Sequence, residues 1–223
     1  MARTRTNILT KEQIGFLDLV AAEPYFRKHF YLTGGTALAA FYLGHRFSED
    51  IDLFSEEEVN IAAVSAFMRK AQKRLDASKV DYRQYLGLHI FELIFSEHTT
   101  LKVDFNYYPF PRIEKGVKYS NLPVDSILDI AVNKVQTIAT QPRARDFIDL
   151  FFILREKKFS LQSLFMHAKA KFDWPIDPLQ LGSRLYLARE VTDFPRMIQQ
   201  IDHKEWQKFF IHEASKLKKD ILS

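Results

Sequence analysis

The sequence predicts an α+β fold, with a small mixed sheet in the first half of the chain followed by an all-helical half. From about residue 25 to 110, short runs rich in β-branched and aromatic residues alternate with helical patterns, and turn residues separate them. Beyond Pro123, the apolar residues recur at helical spacing. We therefore expect two domains, an N-terminal α/β domain over 1–115 and a C-terminal helical domain over 116–223.

The first half begins with a helix that Thr10 and Gln13 are expected to start as a capping box, and that Pro24 ends. Ser55 is expected to cap the helix that follows the second strand, because acidic residues come directly after it. Gly87 marks a hairpin turn. The elements predicted after the first helix are a strand at 29–33, a helix at 37–43, a strand at 50–54, a helix at 57–76 and strands at 79–85, 88–96 and 100–107.

The second half follows a loop that contains Pro109, Pro111 and Gly116. No internal repeat or low-complexity segment interrupts it. Its helices are predicted at 124–140, 144–156, 160–171, 178–200 and 203–220.

Composition narrows the class of protein. Apolar residues make up 47% of the chain, and 20 phenylalanines indicate a core rich in aromatic rings. The net charge of +4 is a mild basic bias that suits an anionic ligand. The lack of cysteine excludes disulfides and thiol nucleophiles. Residues 1–6 carry no signal-peptide pattern and no run is long enough to span a membrane, so we expect a cytoplasmic protein without a membrane partner.

The most informative motif is a glycine pair, Gly34 and Gly35, followed by Asp50 and Asp52 on the next strand. Alternate residues of a strand share a face, so the two carboxylates should project together. Carboxylates held this close favour a divalent cation, and Mg²⁺ in proteins commonly joins one or two of them to substrate phosphates. Glycines allow backbone N–H groups to approach phosphate. The pattern indicates metal-assisted phosphate chemistry, although an isolated D-x-D or Gly-Gly is often only a strand end or a turn.

A third acid, Asp104, lies on another predicted strand, where Val103 and Phe105 should face the core and Lys102 should share the face of Asp104. Three acids carried by strands can hold the two metal ions that bracket a phosphoryl transfer.

Two further residues are unusual for helices. Lys134 lies at the edge of an apolar stripe, so it either extends along a packed face or reaches into a cleft. Asp146 belongs to a helix that is apolar nearly all round, and it could orient Lys134, cap the helix or take part in catalysis. Asp149 is expected to pair with Arg145 at i,i+4 spacing.

The chain resembles the AbiEii/AbiGii-type nucleotidyltransferase toxins. Three blocks of residues carry the resemblance, in order along residues 30–155: Gly34-Gly35-Thr36-Ala37-Leu38-Ala39, then Gly44-His45-Arg46-x-Ser48-x-Asp50-Ile51-Asp52-Leu53-Phe54, and then Lys134 with Arg143-x-Arg145-Asp146-Phe147-x-Asp149-Leu150. The wider superfamily usually has Gly-Ser where this chain has Gly-Gly-Thr, and threonine supplies a similar hydroxyl.

The resemblance implies a DNA polymerase β-like nucleotidyltransferase fold and the toxin half of a bacterial toxin–antitoxin or phage-defence pair. It implies Mg²⁺, or Mn²⁺ in its place, a nucleoside triphosphate as substrate, and tRNA or another RNA as the favoured acceptor, with a cognate antitoxin as partner. The residues that it assigns to the nucleotide are Gly34, Gly35, Thr36, Arg46, Ser48 and Lys134. Those assigned to the metal are Asp50, Asp52 and, by likeness to the wider superfamily, Asp104; Asp146 completes the catalytic set.

Two other functions fit the same residues. One is a nucleotidyltransferase for small molecules such as antibiotics, and an acidic acceptor pocket would favour it. The other is a nucleotide-binding module without catalysis. A basic groove would favour RNA, and the helical half holds many cations that either line such a groove or form solvated helix faces. These are Lys169, Lys171, Arg184, Arg189, Arg196, Lys204, Lys208, Lys216, Lys218 and Lys219.

Overall fold

The computed structural model describes residues 8–173 and 178–222, and residues 1–6 discussed above lie outside them. The chain divides into two compact units, the first ending at Ser126 and the second beginning at Ile127. The first unit contains a sheet with helices, and the described part of the second is helical. The predicted α+β fold class is therefore confirmed.

The first unit opens with helix α1 (Lys11–Ala22), and the predicted capping box is present. The Thr10 hydroxyl accepts the Gln13 backbone N–H, and the Gln13 side chain accepts the Thr10 N–H. The helix ends before Pro24, as expected, and Pro24 then occupies the first turn of helix α2 (Pro24–His29), where its missing N–H costs nothing.

The sheet is five-stranded, in the spatial order β1-β2-β5-β4-β3. Strands β2 and β5 are parallel neighbours, whereas every other adjacent pair is antiparallel. The strands are β1 (Tyr31–Thr33), β2 (Ile51–Ser55), β3 (Lys79–Tyr85), β4 (Leu88–Ser96) and β5 (Thr99–Tyr107).

One face of this sheet is core. Ile51, Leu53, Val103 and Phe105 are fully buried, as the alternation along their strands predicts. Helix α4 (Ile61–Arg74) packs against β3 and β4 and contributes Phe67 to a cluster of rings that reaches Phe105 through Phe26. The other face carries Asp52, Lys102 and Asp104, together with Leu88 and Ile90 of β4.

Two predicted helix starts in this unit are wrong. Helix α3 (Gly34–Leu38) begins at the first glycine and not at Ala37, and it continues as a π-helical turn, Ala39–Leu43. Helix α4 is capped by Asn60, whose side chain accepts the Ala63 N–H. Ser55 instead ends β2, because it pairs with Tyr107 of β5.

A short hairpin, β6 (Lys118–Tyr119) and β7 (Leu122–Pro123), was not predicted. Just beyond it, Val124 forms a parallel bridge with Leu32 of β1, and the Asp125 N–H donates to the Leu32 carbonyl. These bonds tie the segment to the sheet, so the first unit extends past the predicted boundary at residue 115 to Ser126.

The helices of the second unit mostly match their predicted ranges. The range predicted as one helix over 178–200 is the exception: α8 ends at Tyr186, a 3₁₀ turn follows over Leu187–Arg189, and the chain is not helical again before His203. The helices are α5 (Ile127–Thr140), α6 (Ala144–Glu156), α7 (Leu161–Phe172), α8 (Pro178–Tyr186) and α9 (His203–Leu222). None of the helices in the described ranges is long and apolar enough to cross a membrane.

Candidate active site

The face of the sheet opposite the core, called the open face below, carries the acids that the sequence singled out. Asp52 on β2 and Asp104 on β5 are direct partners across the parallel pair, and Asp50 directly precedes β2. Asp50 and Asp52 are half-buried, whereas Asp104 is buried. The parallel register therefore brings one acid of each strand side by side, on the face opposite the core.

A lysine lies among these acids. The Lys102 ammonium is 2.6 Å from Asp104 Oδ2 and 3.5 Å from Asp50 Oδ2. Burial lowers the pKa of Lys102, but the hydrogen bond that it donates to Asp104 and the charges of Asp50, Asp104 and Asp52 outweigh this effect and raise the pKa above its usual value. The ammonium therefore stays charged and acts as a tethered counter-ion. Sequence reasoning placed Lys102 on this face but gave it no role.

Asp104 is the most desolvated of the three acids. Burial raises its pKa, an effect that the hydrogen bond and charge of Lys102 partly offset. Its second oxygen, Oδ1, is buried without a hydrogen-bond partner. A buried acceptor in this state can still take a proton or a hydrogen bond from a ligand.

The glycine pair packs directly against the predicted site residues. Gly34 has a φ of +73°, which favours glycine, and a Cβ there would come within 3.0 Å of the Asp52 carboxylate. A Cβ on Gly35 would come within 3.0 Å of both the Arg46 guanidinium and the Ser48 hydroxyl. The turn thus joins residues of the first two motif blocks at one place, and neither glycine can carry a side chain without displacing them.

Thr36 lies beside this turn and anchors the neighbouring segment of the chain. Its hydroxyl donates to the backbone carbonyl of Asp50, and the residue is buried. Gln13 holds the same segment from the other side, since its side-chain amide donates to the carbonyls of Ser48 at 2.8 Å and Glu49 at 3.1 Å. Both residues therefore position the segment that carries Asp50. Sequence analysis recognised Gln13 only as part of a helix cap.

The second unit holds a separate cluster around Lys134. Its ammonium lies 2.7 Å from Asp146 Oδ1 and 2.8 Å from Asp149 Oδ2, and both carboxylates are fully buried. Arg143 Nε is 3.0 Å from the other oxygen of Asp146. Lys134 therefore bridges two aspartates of α6, and Asp149 takes this lysine and not the Arg145 that helical spacing suggested.

A second buried pair lies in the same unit. Lys171 is 2.8 Å from Asp129 Oδ1, and both side chains are almost completely buried. Lys171 must therefore be removed from the cations expected to line a groove or a solvated face. Six of the others, Lys169, Arg189, Arg196, Lys204, Lys208 and Lys216, are exposed and Arg184 is half-buried, while the side chains of Lys218 and Lys219 lie outside the described residues.

The first-unit acids suit a hard divalent cation because all their donors are carboxylate oxygens. Within residues 8–173 and 178–222, however, no three acid or histidine side chains converge as a ready metal cluster. The Lys102 ammonium holds Asp104 Oδ2. The assignment of Asp50, Asp52 and Asp104 to metal therefore stays a prediction.

Comparison with known proteins agrees with this geometry. The sequence model of the family described as nucleotidyl transferase AbiEii toxin, type IV toxin–antitoxin system, matches residues 17–219. The chain belongs to this family. It is thus a nucleotidyltransferase of the AbiEii toxin type, and the resemblance found in the sequence is confirmed.

This AbiEii family member is also similar to individual proteins of known sequence or structure. An uncharacterized protein of Aquifex aeolicus (strain VF5) is 33% identical over 145 residues, which cover 64% of this chain and 66% of that protein. A candidate nucleotidyltransferase from H. pylori has a similar fold, with a TM-score of 0.59 at 21% identity over 94% of this chain and 93% of the other. MenT4, a nucleotidyltransferase toxin from Mycobacterium tuberculosis H37Rv, gives 0.53 at 14% identity over 92% and 82% of the two chains.

Proposed function

We propose that this AbiEii-type enzyme transfers a nucleotide from a nucleoside triphosphate to a hydroxyl of an RNA, with tRNA as the favoured acceptor and Mg²⁺ as cofactor. The observation that carries the proposal is the pairing of Asp52 with Asp104 across parallel strands, beside Asp50 and against the Gly34–Gly35 turn. Acids on one face and close-packed glycines are what metal-assisted phosphoryl chemistry requires.

In the proposed reaction, the acceptor hydroxyl oxygen bonds to the α-phosphorus while the bond to the departing pyrophosphate breaks. Asp104 accepts the proton of that hydroxyl, because Oδ1 is its unfilled acceptor while Oδ2 is held by Lys102. Asp50 and Asp52 would hold a divalent cation, which when bound neutralises phosphate charge.

The nucleotide is assigned to the glycine turn and its neighbours. Backbone N–H groups of Gly34 and Gly35 open helix α3, and Thr33, at its cap position, directs its hydroxyl to Asp125 instead of capping them. They thus suit phosphate oxygens. Arg46 and Ser48 adjoin Gly35 and would contact the nucleotide.

Lys134 and Asp146 keep the roles that the family motifs suggest. Lys134 would contact the triphosphate, and Asp146 would fix the direction of its ammonium through the 2.7 Å bond. Asp149 shares that positioning role. Membership of a type IV toxin–antitoxin family supports a cognate antitoxin, which would relieve the growth arrest caused by the enzyme.

The test is incubation with each labelled nucleoside triphosphate, Mg²⁺ and total tRNA, followed by separation of the RNA. We expect label on tRNA from the native enzyme and none from Asp52→Asn, which removes a charge from the acid pair while keeping its shape. Labelled tRNA with the variant would reject the assigned site, and no labelled RNA from the native enzyme would reject the RNA acceptor.

A further inference from the structure

The open face of the sheet continues beyond the acids toward its free edge. The strand register aligns Asp52, Asp104, Ile90 and Arg83 in one row across β2, β5, β4 and β3. Neighbouring strands lie about 4.8 Å apart, so the Arg83 backbone is roughly 10 Å from that of Asp104. A ligand bound along this row would contact the acids at one end and Arg83 at the other.

The next row, nearer the hairpin, has a different character. It consists of Asn106, Leu88 and Tyr85, partners across β5, β4 and β3. The side chain of Tyr85 is 67% exposed. With the half-buried Leu88 and Ile90, it forms an aromatic and aliphatic patch on the same face as the acids.

The hairpin turn beside this patch is itself unusual. Leu86 is 88% exposed and has a φ of +45°, a conformation that costs energy for a side chain of its kind. Gly87 follows with a φ of +82°. Positive φ at both residues is the geometry of a two-residue hairpin turn, and it leaves the exposed Leu86 at the end of the patch.

Arg83 places a cation at the end of the row that lies farthest from the acids. The Arg83 side chain is 66% exposed, and its nearest ion-pair partner, Glu92, is 3.9 Å away. Lys79 on the same strand is already paired with Asp81 at 2.7 Å. Arg83 is therefore the cation best placed to meet a phosphate.

We infer that this face of the sheet holds the 3′-terminal nucleotides of a single-stranded RNA acceptor. The five side chains that contact them, called the acceptor platform below, are Arg83, Tyr85, Leu88, Ile90 and Asn106. The terminal hydroxyl lies at Asp104, a base stacks on Tyr85 and Leu88, and a phosphate meets Arg83. The inference rests on the proposed function and adds to it the location and the strandedness of the acceptor.

The opposite side of the sheet supplies a matched control. Arg69 is exposed on α4, the helix that packs against the core face. Arg69→Gln and Arg83→Gln remove the same charge from opposite faces of one unit. Tyr85→Ser removes the stacking ring, and Tyr85→Phe keeps it, so the pair separates stacking from loss of the hydroxyl.

The experiment measures binding of a 5′-labelled, unstructured oligoribonucleotide to the full-length protein in the Asp52→Asn background, over a range of salt concentrations. We expect Tyr85→Ser to weaken binding by roughly 5- to 150-fold and Tyr85→Phe to leave it unchanged. Arg83→Gln should lower the salt dependence by about 0.7 in log–log slope, and Arg69→Gln should not. Thermal unfolding checks that each variant is folded.

Equal binding by Arg83→Gln and Arg69→Gln, or unchanged binding by Tyr85→Ser, would overturn the platform even if the native enzyme labels tRNA. Loss of RNA binding in Tyr85→Ser, combined with no nucleotide transfer by the native enzyme, would leave an RNA-binding surface but reject both its acceptor role and the proposed function. Transfer to a cationic small molecule that depends on Tyr85, with no RNA binding, would assign the surface to that acceptor and reject our inference.

Discussion

Replacing Lys134 by methionine tests the cluster of the second unit most directly. Methionine keeps most of the stem but removes the ammonium that lies 2.7 Å from Asp146 and 2.8 Å from Asp149. Both carboxylates are fully buried, so the variant retains two buried negative charges and loses the lysine that bridges them. Arg143 remains beside Asp146 only, on the oxygen that Lys134 does not bind.

Breaking a buried ion pair from one side typically costs about 3–5 kcal/mol. In a protein of this size each kcal/mol lowers the melting temperature by roughly 2–4 °C, so we expect a loss of about 6–20 °C. Adding Asp149→Asn should recover part of the loss, because it removes one of the two stranded charges.

Lys171→Met is the control, since it breaks a buried pair of similar length with Asp129, with a lysine side chain that is 1% exposed where that of Lys134 is 11% exposed. Both variants should melt early. At a temperature where both are folded, only Lys134→Met should weaken nucleoside triphosphate binding, by roughly 10- to 150-fold for a charge-assisted contact. Calorimetric titration with a non-hydrolysable triphosphate measures this. Equal affinity in the two variants would refute the triphosphate role, and native-like melting of Lys134→Met would refute the buried bridge.

Three further predictions concern the first unit, with one control glycine taken from the second. Lys102→Met should tighten Mn²⁺ binding by roughly fivefold or more, because a charge 3.5 Å from Asp50 is worth about 1 kcal/mol even in water. The electron paramagnetic resonance signal of free Mn²⁺ measures the affinity, and an unchanged affinity would contradict the counter-ion role. Gly35→Ala should weaken triphosphate binding because a Cβ there displaces the Arg46 guanidinium and the Ser48 hydroxyl, whereas Gly182→Ala, where the nearest atom is 3.8 Å away, should raise the melting temperature slightly. Burial lowers the pKa of His89 below 6.5, so the unfolded chain binds the proton more readily than the folded one. The free energy of unfolding should therefore fall as the pH drops below that value. Denaturant titrations at pH 7.5 and 5 measure this difference, and His89→Phe should reduce it.

The strand faces were predictable because they depend on a local period of two. Ile51 and Leu53 turned inward as expected, and so did Val103 and Phe105. The lysine among the acids was not predictable in its role, because its contact with Asp50 depends on β2 and β5 being parallel neighbours. That pairing joins segments far apart in sequence, and spacing alone does not reveal it.

The longest error, the helix expected over 178–200, has a similar cause. The apolar residues of its second half follow helical spacing, but Asp193 accepts the backbone N–H of Ala144 at 2.7 Å, and Phe194 stacks on His203 with ring centres 4.0 Å apart. Helix α6 lacks a side-chain cap of its own, since Arg143 occupies that position. A non-helical segment thus supplies a bond that the helix needs, and tertiary context outweighs local propensity.

The double use of Gln13 has a consequence for local unfolding. Its side chain closes the first turn of α1 and also holds the carbonyls of Ser48 and Glu49, which lead into Asp50. Fraying of α1 therefore releases the loop before β2 in the same event, and the two segments should exchange amide hydrogens as one cooperative unit. The first turn of α1, although distant in sequence from the acids, therefore helps to hold Asp50 in position.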